Sequence, residues 1–212
     1  MRNLLLLFAF IHFTIQSQNI TISAGKSFTV EKTSSVTVTG NFSNSGTFTL
    51  NSDSDEFSSL IISGSVSGNI TYNRYVNAVG TDEWDLIGSP VSGLSISSFA
   101  STNTTSSPAT LAQNDSDYAI GIFDNATGVW TNFTTASIGN AGDFDLGKGY
   151  QMASVSGGTG LLAFTGAPAS TTQTQAIINN DAANSGSGRR WNLVANPFPS
   201  YIQGNSQADT NN

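Results

Sequence analysis

The side chains able to do chemistry in this sequence are few, and most of them are oxygens. Asn51-Ser52-Asp53-Ser54-Asp55-Glu56 alternates oxygen-bearing residues, a pattern in which a loop can wrap a calcium ion. Asn51, Asp53 and Asp55 would be the ligands. An EF-hand is excluded, because position six is Glu56 where glycine is needed and position twelve is Ile62 where a bidentate glutamate is needed. Calcium in a simpler turn stands beside the alternative of a solvated acidic turn. A second group is Asp82, Glu83 and Asp85 around Trp84. Glycoside hydrolysis uses two carboxyls across a cleft, and on a strand Glu83 and Asp85 share a face that Trp84 opposes. A solvated strand face beside a core tryptophan gives the same pattern. A third group is aromatic. Trp130, Tyr118 and Tyr150, with Phe133, could form a platform for a sugar ring. Cross-strand core pairing is the preferred alternative for them.

Other chemistry is excluded. The chain has no Cys and one His. His12 lies in an apolar run over residues 4–15 that follows Arg2. About twelve apolar residues are too few for a bilayer span, which needs roughly 20. Residues 1–17 therefore read as a signal peptide, with cleavage before Gln18. The mature chain would carry neither His nor Cys. That excludes zinc sites of the His/Cys kind and Ser-His-Asp or Cys-His catalysis. Seven Lys+Arg against fourteen Asp+Glu give a net charge of −7, which with no basic cluster argues against nucleic acid as a partner. No catalytic residue is assigned, and the chain is expected not to be an enzyme.

The elements that position these residues read as strands. Apolar residues come as i, i+2 pairs: Ile20/Ile22, Phe28/Val30, Val36/Val38, Phe48/Leu50, Leu60/Ile62 and Ile70/Tyr72. Period two means strands with one buried face, and Gly- and Asn-rich turns separate them. Short strands at a short, nearly fixed spacing suggest stacked rungs, so residues 18–80 read as a β-solenoid-like segment. A meander or one sheet of a sandwich is the alternative.

A different texture follows. Trp84-Asp85-Leu86-Ile87-Gly88-Ser89-Pro90-Val91 is matched by Trp191-Asn192-Leu193-Val194-Ala195-Asn196-Pro197-Phe198. Trp, Leu and Pro are identical and most other positions are close exchanges, so these read as two copies of one module start. Residues 81–180 carry further alternating segments and read as an antiparallel β-sandwich. Within them, residues 97–116 are rich in Ser, Thr and Asn and read as a long loop. Residues 181–212 read as a linker and the start of a second, incomplete module. The Trp191 strand is expected to pair with the first module or with sequence beyond residue 212. The fold class is all-β.

Four stretches carry a family resemblance: residues 50–55, 68–76, 84–90 and 190–200. They resemble secreted surface proteins of Bacteroidota, of the flavobacterial type exported by type IX secretion. The resemblance implies an extracellular or cell-surface location, a structural or adhesive role, and contact with the secretion machinery in transit. It also implies that the chain is an N-terminal fragment lacking the C-terminal sorting domain. Extracellular glycans or matrix are the expected partners, with no membrane span once the signal is removed. A carbohydrate-binding module, with calcium assisting, is the alternative function. A glycoside hydrolase is the second alternative.

Overall fold

The computed structural model describes residues 14–80, 84–178 and 191–202. Most of the expected signal peptide (residues 1–13), the carboxylates Asp82 and Glu83, and most of the expected linker and second module (residues 179–190 and 203–212) lie outside the described residues.

Nine short strands come first: β1 (Thr14–Ser17), β2 (Ile20–Ile22), β3 (Ser27–Val30), β4 (Ser35–Val38), β5 (Phe42–Asn44), β6 (Thr47–Asn51), β7 (Ser59–Ile62), β8 (Val66–Ser67) and β9 (Ile70–Tyr75). Every third strand pairs in parallel. β1-β4-β7 and β2-β5-β8 form two three-stranded sheets, and β3-β6-β9 belongs to a third. Paired residues stand 20 to 24 positions apart, as in Phe28↔Phe48 and Val36↔Leu60. Ile20, Phe28 and Val36, each eight residues after the last, thus sit on the consecutive strands β2, β3 and β4, and each strand pairs with the one three further along. Inward apolar side chains then stack on apolar ones, as in Val30↔Leu50 and Val38↔Ile62. The Phe28 and Phe48 rings are parallel at 5.2 Å, and Phe42 meets Phe48 edge-on at 5.2 Å. One corner needs glycine because the backbones nearly touch. A Cβ on Gly40 would lie 1.9 Å from the Gln18 carbonyl oxygen, and one on Gly64 2.3 Å from the Gly40 carbonyl oxygen.

The second half adds β10 (Asp85–Ile87), β11 (Val91–Ser92), a helix α1 (Ile96–Thr105), β12 (Gln113–Asn114), β13 (Asp117–Asp124), β14 (Val129–Thr134), β15 (Tyr150–Met152) and β16 (Leu161–Pro168). β10-β15-β13-β12 are neighbours in an antiparallel sheet, with β14 also on β13. β16 lies antiparallel along β9, from Leu161↔Tyr75 to Gly166↔Ile70, and β11 follows it. The resulting five-stranded sheet, β11-β16-β9-β6-β3, draws strands from both halves. One hydrophobic cluster runs from Ile22 to Phe164.

The all-β expectation holds, with one correction. Part of residues 97–116, read as a loop, is helix α1. Ile96, Phe99, Ala100 and Asn103 are its buried residues, an i, i+3, i+4, i+7 stripe. Ser95 caps the helix by accepting from the Ser98 N–H at 3.1 Å. Ser and Thr are weak helix formers, so burial against β16 supplies what propensity does not. Among the described residues no helix is long and apolar enough to cross a membrane.

Candidate functional site

The acidic turn after β6 is already engaged. Asp53 Oδ1 accepts from the backbone N–H of Asp55 at 3.0 Å and of Glu56 at 2.9 Å. Its Oδ2 pairs with Lys32 Nζ, which also lies 3.4 Å from Glu56 Oε2. Lys32 and the Asp55 N–H hold the Asp53 carboxyl below its ordinary range, and Asp53 in turn raises Lys32. Asn51 turns elsewhere: its Nδ2 donates to Glu31 Oε2 and its Oδ1 accepts from Asn73 Nδ2, both at 3.1 Å. Asp55 accepts from Ser54 Oγ at 3.0 Å. A lysine ammonium thus sits on the carboxylate that a calcium ion would need.

The three expected platform aromatics are not brought together. Tyr150 is in the core at 1 % exposure. It meets Phe144 edge-on at 4.9 Å, and its hydroxyl accepts from the Asp145 N–H at 3.1 Å. Burial pushes its phenol upward. Tyr118 is half-buried against the core. Trp130 is 40 % exposed and tilts against its cross-strand neighbour Phe123 at 5.3 Å. Of the carboxylate group, Asp85 is held by one residue. Its oxygens accept from Asn77 N at 2.7 Å and Asn77 Nδ2 at 3.1 Å, which ties β10 to the chain leaving β9.

Two other arrangements are more regular. The first is the outward face of the five-stranded sheet. Thr29, Thr49, Thr71 and Thr165 stand in direct register across four adjacent strands. Thr29 and Thr165 are exposed and the inner pair half-buried. Thr71 Oγ1 and Thr165 Oγ1 are 2.9 Å apart. Ser27↔Thr47 and Asn51↔Asn73 flank this row. Neighbouring strands lie about 4.8 Å apart, so the face repeats a hydroxyl at that interval. The opposite face carries Phe48, Leu50, Tyr72 and Phe164, all buried.

The second arrangement is a cavity of about 360 Å³ where the two copies of the repeat meet. β10, in the first copy, pairs with β15 through Ile87↔Tyr150. The second copy runs antiparallel to the residues just before β15. Gly149 N–H donates to Leu193 O at 2.9 Å and Ala195 N–H to Gly147 O at 2.8 Å. The Trp191 segment therefore does pair with the first module. A Cβ on Gly88 would lie 2.6 Å from Ala195 Cβ, and Ala195 is the residue that matches Gly88 in the repeat. The chain continues onto the end of the parallel sheets, where Pro199 O accepts from the Leu60 N–H of β7 at 2.7 Å. Tyr201 Oη donates to Phe57 O at 3.2 Å.

Arg74 reaches this cavity from β9. It is half-buried, with its guanidinium carbon 3.7 Å from the centroid of the Phe57 ring, and it makes no ion pair among the described residues. Loss of water pushes its pKa down; Tyr72, Asp85 and Tyr201 oppose that shift. Tyr72, buried on the same wall, donates from Oη to Ser58 O at 2.7 Å, and burial pushes its phenol up. Ser58 is 1 % exposed, and its Oγ has no hydrogen-bond partner among the described residues. Neither Arg74 nor Ser58 was singled out from the sequence. A signal was present: Arg74 continues the i, i+2 series Ile70, Tyr72 and so places a cation on the inward face of a strand.

No curated protein and no solved structure matches the chain. A family described only as a domain of unknown function (DUF8693) matches residues 9–212, nearly the whole sequence, and the chain belongs to that family.

Proposed function

We propose that this chain is an extracellular or cell-surface adhesive scaffold without catalytic activity of its own, and that it holds glycan or matrix through its threonine face. The observation that carries the reading is the row Thr29, Thr49, Thr71 and Thr165 in unbroken register on an open sheet face. A hydroxyl both donates and accepts, and a row of them at the strand interval suits repeated weak contacts with a polymer. In this reading the parallel strands β2–β9 are the rungs of a short β-solenoid, β1 being removed with the signal, and the antiparallel strands are a sandwich-like module packed on its side. Export rests on the signal-like residues 1–17, and the surface location on the resemblance to Bacteroidota proteins of the type IX kind.

The hydrolase alternative is less favoured because both Asp85 oxygens are taken by Asn77. Calcium is not part of the proposal, since Lys32 already neutralises Asp53. The test is depletion of the full chain from solution by particles of an insoluble neutral polysaccharide, with reducing ends assayed in the supernatant. The expected result is depletion without release of reducing sugar. Release of sugar, or no depletion by any of cellulose, chitin and an insoluble α-glucan, would overturn the reading.

A further inference from the structure

We propose that the cavity at Arg74 is a binding site for a small organic carboxylate carried on a ring. This site is separate from the threonine face and does not depend on the adhesive reading. Three features of the cavity converge on such a ligand.

The first is a half-buried cation that makes no ion pair among the described residues. Taking a guanidinium partly out of water is unfavourable unless a partner replaces the water. Of the other cations among the described residues, Lys32 holds Asp53 and Glu56, Lys148 lies 3.6 Å from Asp145, and Lys26 is exposed to water. Arg74 has the face of Phe57 and the Tyr72 hydroxyl beside it and feels the Asp85 carboxylate without pairing with it. Acidic residues outnumber basic ones by fourteen to seven, yet none is in ionic contact with Arg74 among the described residues. Asp85, whose field reaches it, has both oxygens fixed by Asn77.

The second feature is the Ser58 hydroxyl, buried on a residue that lines the cavity and without a hydrogen-bond partner among the described residues. A buried hydroxyl left unsatisfied destabilises the fold, and in native proteins it commonly marks an absent ligand or water. The planar fork of arginine matches a carboxylate with two parallel N–H bonds. The Ser58 hydroxyl, on a residue that lines the same cavity, is a further donor without a partner among the described residues.

The third feature is the shape. About 360 Å³ falls within the usual range of small-molecule sites, roughly 300–1,000 Å³. The rings of Phe57, Tyr72 and Phe198 line the cavity, which suits the face of a ring more than a second charge. Gly88 and Ala195, the matched residues of the two repeat copies, also line the space. The repeat therefore has a local consequence: residues of both its copies line the cavity that Arg74 reaches.

The shared chemistry is a ring carboxylate, and two sources supply it: a uronic acid and an aromatic acid. The experiment is calorimetric titration of the full chain with D-glucuronate and with benzoate, each beside its neutral methyl ester. Amide NMR locates the contact. The expected result is saturable binding of at least one acid, with its ester bound at least about tenfold more weakly. Amide shifts should centre on Ser58, Arg74 and Ala195. Binding of glucuronate assigns an acidic sugar; binding of benzoate assigns an aryl acid. Arg74→Gln should weaken the bound acid about tenfold or more while circular dichroism is unchanged. Should that variant misfold, the comparison of acid with ester on the unaltered chain still decides. Failure of both acids to bind, an ester that binds as well as its acid, or shifts centred elsewhere would overturn the proposal.

Discussion

Two buried tyrosines, Tyr72 and Tyr150, show what single residues contribute here and how to test it. Each phenol is pushed above its ordinary value of 10.0, with desolvation the leading cause. A group whose folded pKa is raised contributes stability that is complete below the unfolded value and is lost as pH rises through the folded one. Unfolding stability should therefore fall as pH rises beyond 10, by about 1.4 kcal/mol per pH unit for each tyrosine that titrates only in the unfolded chain. Urea unfolding between pH 8 and 11 measures this, and Tyr72→Phe should flatten the slope by one tyrosine's share. An unchanged slope would mean that the Tyr72 hydroxyl is not buried as described. At this scale the sequence was only partly legible. Tyr150 and Trp130 look alike as aromatic residues on alternating segments, but one is in the core and the other at the surface. Which face of β13–β15 is inward depends on what packs there, and that is not written locally. Arg74 was legible in principle, because it extends the inward series Ile70, Tyr72.

Helix α1 and the repeat show the same limits among the elements. The helix is marked by Ser95 as cap and by the stripe Ile96, Phe99, Ala100, Asn103, yet its Ser/Thr composition resembles a loop. What holds it is tertiary. Asn103 Oδ1 accepts from the Ala163 N–H at 2.8 Å, and its Nδ2 donates to Ala163 O at 3.2 Å and to Phe99 O at 2.9 Å. One side chain thereby takes the place of a neighbouring strand along part of β16. Asn103→Ala would leave the Ala163 amide and carbonyl unpaired, and should cost about 2–4 kcal/mol in urea unfolding. A loss below about 1 kcal/mol would mean that water replaces the asparagine. The repeat, by contrast, was legible residue by residue, because Trp, Leu and Pro recur in order. Its consequence was not. The contact of Gly88 with Ala195 and the cavity beside it arise only when both copies pair with the same stretch, residues 147–152.

Across the whole molecule, the alternation of apolar and hydroxyl residues builds both the core and the threonine face. Phe28, Phe48 and Phe164 turn inward while Thr29, Thr49 and Thr165 turn outward, so the inward packing that sets strand register also aligns the hydroxyls. The apolar pairs made the parallel strands legible. The pairing of β16 with β9 was not legible, because antiparallel partners from distant segments carry no shared spacing. The account stands most directly on the threonine row. The decisive measurement is a depletion isotherm of the full chain on insoluble polysaccharide particles, run beside a Thr49→Val/Thr71→Val variant whose fold is checked by circular dichroism. Removing two hydroxyls from the centre of the row should weaken retention roughly tenfold, since each hydrogen bond contributes about 0.5–1.5 kcal/mol. Equal retention of the variant and the unaltered chain would contradict the account and leave the threonines as ordinary outward strand residues.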